Sequence, residues 1–199
     1  MWITFLNMSI PQKKGFMETF FEYDGDLLKG VRIKRGAEKR PLWRRLETLK
    51  PDEMVFWIDR FDSLCAIPCE WALAQALEQA ADVQVPLRTQ YVRSILCEVN
   101  RLVWLTTYLG RVMSALYQNT LAESVLVLRE QTFVMQEELT GGRILPQAFN
   151  IGGTRRDLAL GDVQKIRQFL QGWRFLWTNW KSIFGNDPLI KERLQGLLK

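Results

Sequence analysis

The 199-residue sequence contains no histidine. That absence removes the Ser-His-Asp and Cys-His nucleophile systems, and with them zinc sites of the HExxH and Cys2His2 kinds. A general base working near neutral pH would have to be a displaced carboxylate or a lysine. Cysteine is scarce: Cys65, Cys69 and Cys97 cannot pair off fully, and a secreted disulfide scaffold uses more. Long apolar runs are missing too, since no stretch approaches the roughly 20 residues that span a bilayer. The start, MWITFLNMSIPQKK, carries its charges after its apolar part and is too short for a signal peptide. The expected compartment is the cytosol or an equivalent reducing one. Internal repeats and low-complexity segments are also lacking.

What is present is the profile of a globular protein, 47% hydrophobic and 25% charged. The net charge is +5 and the pI near 9.2. Basic residues crowd between Arg32 and Arg45, in RIKRGAEKRPLWRR, around a single Glu. The plain reading is a solvated basic segment. The sharper ones are an anionic partner surface, a phospholipid headgroup layer or nucleic acid. No RNP, zinc-finger or helix-turn-helix signature supports the last, so no nucleic-acid partner is expected.

Residues 16 to 35 read as a strand pair, with aromatic-rich FMETFFEY before a tight turn at Asp24-Gly25. After Gly36 the signals are helical. One helix fits between Pro41 and Pro51. A second runs from about Asp52 to Ala81, and Pro68 in its middle should kink or break it. A third starts at Pro86, with Val92, Ile95, Val99, Leu102, Thr106, Leu109, Met113 and Leu116 along one face. A fourth covers about Thr120 to Leu139 and stops at Gly141-Gly142. A fifth starts near Leu160 and carries Val163, Ile166, Phe169, Leu170, Trp173, Trp177, Trp180 and Phe184 on one face. Pro188 to Leu198 forms a short last helix. The fold class is mainly α: a β-hairpin segment over 1–36 and a helical bundle over 37–199.

Several groups of residues invite a functional reading. Cys65 and Cys69 lie one helical turn apart, but structural zinc and Fe-S sites usually want four ligands and Cys97 is the only other thiol. Core thiols are the plainer expectation. The stripe Trp173, Trp177 and Trp180 suits a core or a protein interface better than a cofactor box. Asp59, Arg60 and Asp62 read as a structural ion-pair network rather than a catalytic carboxylate pair. The loop GGRILPQAFNIGGTRRD is the most distinctive stretch. Gly152-Gly153 allows positive φ, and Arg155, Arg156 and Asp157 follow directly, but the spacing of a phosphate loop is absent. A structural loop pinned by ion pairs is the expectation.

These same segments resemble a family. TGGRILPQAFNIGGTRRDL, Thr140 to Leu158, is similar to the TGxRMxxNYFRxGGVxxDLP segment of the D subunit, or 49-kDa subunit, of NADH:quinone oxidoreductase (respiratory complex I). LREQTFVMQEELTGGR resembles FRERExxLDLFExxTGxR through Arg129 and Glu130. RTQYVRSILCEVNRLVWLTTYLG resembles RAQYIRVLxxELNRIxSHLLWLG through Arg93, Glu98, Asn100, Arg101 and Gly110. IDRFDSLCAIPCEWALAQALE resembles DRLDYxSxxxNxxAYxLAVE through Asp59, Arg60, Asp62, Ala72 and Glu78. LNMSIPQKKG with EYDGD, IKRGAEK, and NDPLIKERLQG echo LNxGPQHPxxHG with LxLDGE, LHRGxEK, and NPIFxxRTRGVG. The matches run in order along nearly the whole chain and cover the first half of the family's length.

The resemblance implies the fold of the NiFe-hydrogenase large subunit, a small N-terminal αβ part and a helical bundle. It implies a component that is not catalytic alone and binds no metal, lining a quinone headgroup cavity beside an Fe-S subunit of the B type. The site residues transfer only in part. The family's quinone-site histidine falls at Lys13, and the tyrosine-bearing stretch places Trp57 and Ser63 where tyrosine would sit. Two further family histidines fall at Lys34 and Leu105. Arg35, Arg60, Arg101, Arg155 and Arg156 remain as a cationic set facing the Fe-S neighbour. The implied partners are that neighbour, other complex I subunits and a separate polypeptide carrying the second half. The implied position is peripheral, on the cytoplasmic side of a bacterial inner membrane or the matrix side of a mitochondrial one. The alternative is a non-catalytic accessory or interaction protein that keeps the fold. Baring roughly 1,000 Å² of apolar surface by losing half a bundle would cost about 25 kcal/mol at about 25 cal/mol/Å², more than a single domain's margin. The exposed faces are therefore expected to be covered by another chain.

Overall fold

The computed structural model describes residues 2–5, 17–35 and 42–195, with side chains described from Phe20 to Arg32 and from Leu42 onward. The chain divides into two compact units, 1–47 and 48–199.

The first unit holds an antiparallel sheet of order β1-β2-β3, with β1 at Trp2–Phe5, β2 at Met17–Asp24 and β3 at Leu27–Arg35. The expected hairpin is β2-β3, closed by Gly25 and Asp26. Gly25 has φ +60°, a value that tight hairpin turns require and glycine adopts without strain. The register slips between Glu22 and Tyr23 through a bulge. The third strand, β1, pairs Trp2 with Glu22 and Phe5 with Thr19. The sequence carries no clear signal for it. The short helix α1, Leu42–Leu46, completes this unit.

The second unit is helical: α2 at Pro51–Ile58, α3 at Ala66–Ala80, α4 at Leu87–Ala115, α5 at Asn119–Thr140, α6 at Leu160–Asn186 and α7 at Pro188–Leu194. The expected single helix from Asp52 to Ala81 is two helices, and the break is not at Pro68. It spans 59–65, where the Asp62 carboxylate accepts the Leu64 N–H at 2.9 Å in a local turn. Pro68 lies in the first turn of α3, where its missing N–H costs nothing. Pro51 likewise opens α2.

Helices α4 and α5 turn back on each other through Leu116, Tyr117 and Gln118. The buried ridge of α4 is Val92, Leu96, Val99, Val103, Thr106, Gly110 and Met113. It is turned slightly from the expected face, so Ile95, Leu102, Leu109 and Leu116 are half-buried. Gly110 lies on this ridge and faces Leu126, Val125 and Ala122 of α5, where a Cβ would meet them at ordinary van der Waals distance. α5 ends where expected, with Gly141 in the left-handed region at φ +82° and its N–H on Glu137 O. The main core joins Ile67 of α3, Val92, Leu96 and Val99 of α4, Met135 and Leu139 of α5, Phe149 and Ile166. A second core, Met113, Ala122, Val125 and Trp180, ties α6 to the α4-α5 turn.

Candidate functional site

Between α5 and α6 the chain forms a small hairpin, β4 at Phe149–Asn150 and β5 at Gly153–Thr154. Phe149 is fully buried, edge-on to Trp71 at 6.5 Å. The polar groups that hold the hairpin backbone come from α3 and α4. Arg93, 1% exposed, forms a two-pronged pair with Glu78 at 2.6 and 3.0 Å. The same guanidinium donates to the carbonyls of Asn150 and Gly153, each at 2.9 Å. Glu78 in turn accepts the Gly152 N–H at 2.7 Å. Gly152 has φ +79°, so glycine suits both the conformation and the close approach. Burial would raise the Glu78 pKa, but the Arg93 guanidinium and the Gly152 N–H hold it below its ordinary value. About two helical turns earlier, Glu70 accepts the Ala148 and Phe149 N–H groups at 2.6 and 3.2 Å. The hairpin is thus anchored both by the buried Phe149 ring and through its backbone.

Several of the residues singled out in the sequence lie near the hairpin. Arg60, at the end of α2, donates to the Phe56 carbonyl and to the buried Asp59 carboxylate at 2.8 Å, with its guanidinium over Trp57 at 5.6 Å. Arg155, after β5, stacks over the Phe56 ring at 5.9 Å and donates to Gln147 Oε1 at 2.9 Å. Arg60 and Arg155 therefore both reach Phe56, one at its carbonyl and one at its ring, and Arg60 also covers Trp57. Phe56 is 46% exposed and Trp57 39%, and Phe61 follows in the same state. The face is aromatic and cationic at once, with each arginine stacked on an exposed ring. Ser63 is exposed in the 59–65 connection.

The remaining expected residues lie elsewhere. Arg101 projects from α4, paired with Glu98 at 2.5 Å, on the rim of an apolar groove of about 540 Å³ between α3 and α4. Cys65, Pro68, Trp71, Ala72, Cys97 and Trp104 line much of that groove. Arg156 caps α5 by donating to the Glu138 carbonyl at 3.0 Å. Lys13 lies outside the described residues, and of Arg35 only the backbone, at the end of β3, is described. The expected ion pairs of the loop take definite partners: Asp157 with Arg88 at 3.0 Å, and Arg143 with Glu130. The cysteines are half-buried, and burial pushes the Cys97 thiol up to about 12, which keeps it protonated. Among the described residues no three Cys, Asp or Glu side chains converge as a metal site. The tryptophan stripe is a continuous ladder, Trp173 on Trp177 at 5.8 Å, Trp177 on Trp180 at 6.0 Å and Trp180 on Phe184 at 5.4 Å. Only Trp180 is buried, and its indole N–H donates to Ser124 at 3.3 Å.

Glu70 is not among the residues that the sequence singles out, and Glu78 and Arg93 stand out there only as motif matches. Charged residues on a helix read as a solvated face, and nothing local marks them as buried. The one signal is their match to the family pattern, which holds Glu78 and Arg93 together with the GGTRRD loop they fix.

Known proteins resemble this chain along most of its sequence. The family described as respiratory-chain NADH dehydrogenase, 49 Kd subunit, matches residues 118–198, which contain the hairpin, α6 and α7. The D subunit of the NADH-quinone oxidoreductase of Protochlamydia amoebophila is 31% identical over 94% of this chain and 46% of its own length. The C/D subunit of the NADH-quinone oxidoreductase of Phocaeicola vulgatus is 27% identical over 94% of this chain and 36% of its own. The H 1 subunit of the NAD(P)H-quinone oxidoreductase of Gloeobacter violaceus is 26% identical over 94% and 48%. The chain thus spans about half the length or less of the curated relatives it matches. Motif order, the buried Arg93-Glu78 anchor of the GGTRRD hairpin and these similarities point the same way: over 94% of its length the chain is similar to the 49-kDa, or D-type, subunits of NADH-quinone oxidoreductases.

Proposed function

We propose that the chain works as a D-like component of the peripheral arm of an NADH:quinone oxidoreductase, packed beside a B-type Fe-S subunit and not catalytic alone. The observation that carries this reading is the pair of surfaces left open beside the anchored hairpin. One is the aromatic-cationic face of Phe56, Trp57, Arg60 and Arg155. The other is the groove rimmed by Arg101, where Trp104 stacks on Tyr108 at 5.6 Å with both rings exposed. Exposed aromatics and arginines at the mouth of an apolar groove have the make-up of a protein interface. None of the described helices is long and apolar enough to cross a membrane, so attachment to a membrane would run through other subunits.

Quinone chemistry is the weaker half of the family's role here. A quinone headgroup needs hydrogen-bond donors on its carbonyl oxygens and an acid to deliver protons. Trp57 and Ser63 can donate hydrogen bonds, but neither an indole nor an aliphatic hydroxyl is an acid of phenolic strength. This favours the second reading, an accessory protein that keeps the fold and the interface but not the redox step. Co-purification tests the first claim: the full chain should retain a B-type Fe-S subunit, and R60E or R101E should weaken the complex. Capture of no Fe-S subunit by the intact chain would remove the reading. Quinone reductase activity of the assembled complex, blocked by a headgroup-site inhibitor, would separate the two readings.

A further inference from the structure

Two carboxylates of the second unit, Asp59 at the end of α2 and Glu70 on α3, have no exposed surface at all. Each is half satisfied. Glu70 Oε2 takes the amides of Ala148 and Phe149, while Oε1 has no hydrogen-bond partner among the described residues. Asp59 Oδ1 takes Arg60, while Oδ2 has none among them. Two buried acceptors with nothing to accept are a destabilising arrangement. The charges around them do not resolve it. From α2 comes one cation, Arg60, already on Asp59. From α4 come the Cys97 thiol and, along the same helix, Glu98 and Arg93. Arg93 is committed to Glu78 and the hairpin carbonyls. The hairpin side gives neutral amides and, beyond them, Arg155, which is held on Gln147 and Phe56.

We propose that Asp59 and Glu70 bind one proton between them as a carboxyl-carboxylate pair, Glu70 Oε1 donating to Asp59 Oδ2 beneath the Phe56-Trp57-Arg60 face. One proton turns an acceptor without a donor into a donor and supplies the other orphan with its partner. It also leaves one negative charge against the one cation of Arg60. Two buried carboxylates that feel each other cannot both ionise without raising the affinity of the pair for a proton. The direction agrees: burial pushes the Glu70 carboxyl up to about 7, against the pull of the two amides, and the Asp59 charge adds to the rise. Burial raises Asp59 as well, even with Arg60 beside it. The site has a consequence at the surface. An acidic partner group that draws Arg60 away from Asp59 strengthens the negative field at Glu70, so docking takes up a proton or tightens its hold.

The test is a carboxyl titration of the full chain labelled with 13C at the glutamate side-chain carboxyl. One resonance should titrate within about one unit of pH 7 and vanish in E70Q. In D59N its midpoint should fall by about one unit or more, a tenfold loss of proton affinity. An unchanged midpoint in D59N would mean burial alone raises Glu70, and the pair is refuted. A midpoint that follows the identity of the added cation at constant ionic strength would put a cation there instead, and refutes it equally. E70Q provides the independent check. Its amide can donate to Asp59 while its carbonyl accepts from Ala148 and Phe149, so it should fold and lose the neutral-range pH dependence of the urea midpoint. Destabilisation as severe as that of Glu70→Ala would overturn the proposal.

Discussion

The hairpin anchor and the outer face of α6 solve opposite problems. At the anchor, charged residues are inside: Arg93, Glu78 and Glu70 are buried, and they hold backbone groups of residues 148–153. On α6 apolar residues are outside. Of its 27 residues only Ile166 and Trp180 are buried, while Phe175 is 67% exposed and Ile183 52%. A buried ion pair is often no more stabilising than a well-packed apolar substitute. What it supplies here is aim, because a planar guanidinium with two carbonyls and a carboxylate in its plane admits one hairpin position. The α6 face has no such determinacy within the chain. Among the described residues nothing covers Phe175 and Ile183.

The sharpest way to break this contrast is to remove the arginine. Arg93→Met leaves the Glu78 charge buried and the Asn150 and Gly153 carbonyls without donors. Loss of one partner from a buried pair costs about 3–5 kcal/mol, so urea unfolding should shift by that order. A loss under about 1 kcal/mol would mean the anchor is replaceable by packing.

The next largest effect is a pH dependence with two opposed arms from two residues of α3. Glu70 has its folded pKa raised, so its contribution is complete below the ordinary carboxylate range and is lost as pH rises toward about 7. The slope there is at most roughly 1.4 kcal/mol per pH unit for one proton. Glu78 has its folded pKa lowered, so its contribution is present above the ordinary range and is lost as pH falls below it. Stability should therefore peak in the acid range near the ordinary carboxylate pKa. E70Q should flatten the upper arm and leave the lower one. A smaller effect belongs to Gly152→Ala, which forces a side chain into φ +79° and brings it to 3.3 Å from Val83. About 1–2 kcal/mol is expected for the left-handed conformation.

How much of this is readable in the sequence follows the same division. The β2-β3 hairpin, the start of α4 after Pro86, the Gly141 stop of α5 and the aromatic face of α6 all announce themselves within a few residues, because turn chemistry and periodicity are local. The break at 59–65 is masked because Pro68 is the louder signal, although a proline in a first turn breaks nothing. The rotation of the buried α4 ridge is hidden because Gly110 carries no hydrophobic mark, while Leu102 and Leu109, which are only half-buried, do. Of the residues singled out in the sequence, Arg60 and Arg155 both reach Phe56, while Arg101 and Arg156 lie on other elements. Their grouping depends on contacts between residues far apart in sequence, such as Arg93 with Gly153, which no local pattern encodes.

The smallest expected change in stability is the most informative about α6. Phe175→Ser with Ile183→Ser removes two side chains that are mostly in solvent, and surface changes of that kind stay within about 0.5 kcal/mol. If the face exists for a partner, the same pair of changes should abolish a bound state while leaving the isolated chain folded. Sedimentation over a range of concentrations reads the first effect, as a loss of self-association or of a heavier complex with the captured Fe-S protein. Urea unfolding reads the second. A shift above about 1.5 kcal/mol, beyond the range of surface substitutions, would show that the face is packed within the chain after all. The contrast between an inward, polar anchor and an outward, apolar helix would then collapse. The two measurements together separate a helix that stabilises its own fold from one whose apolar surface is completed by another molecule.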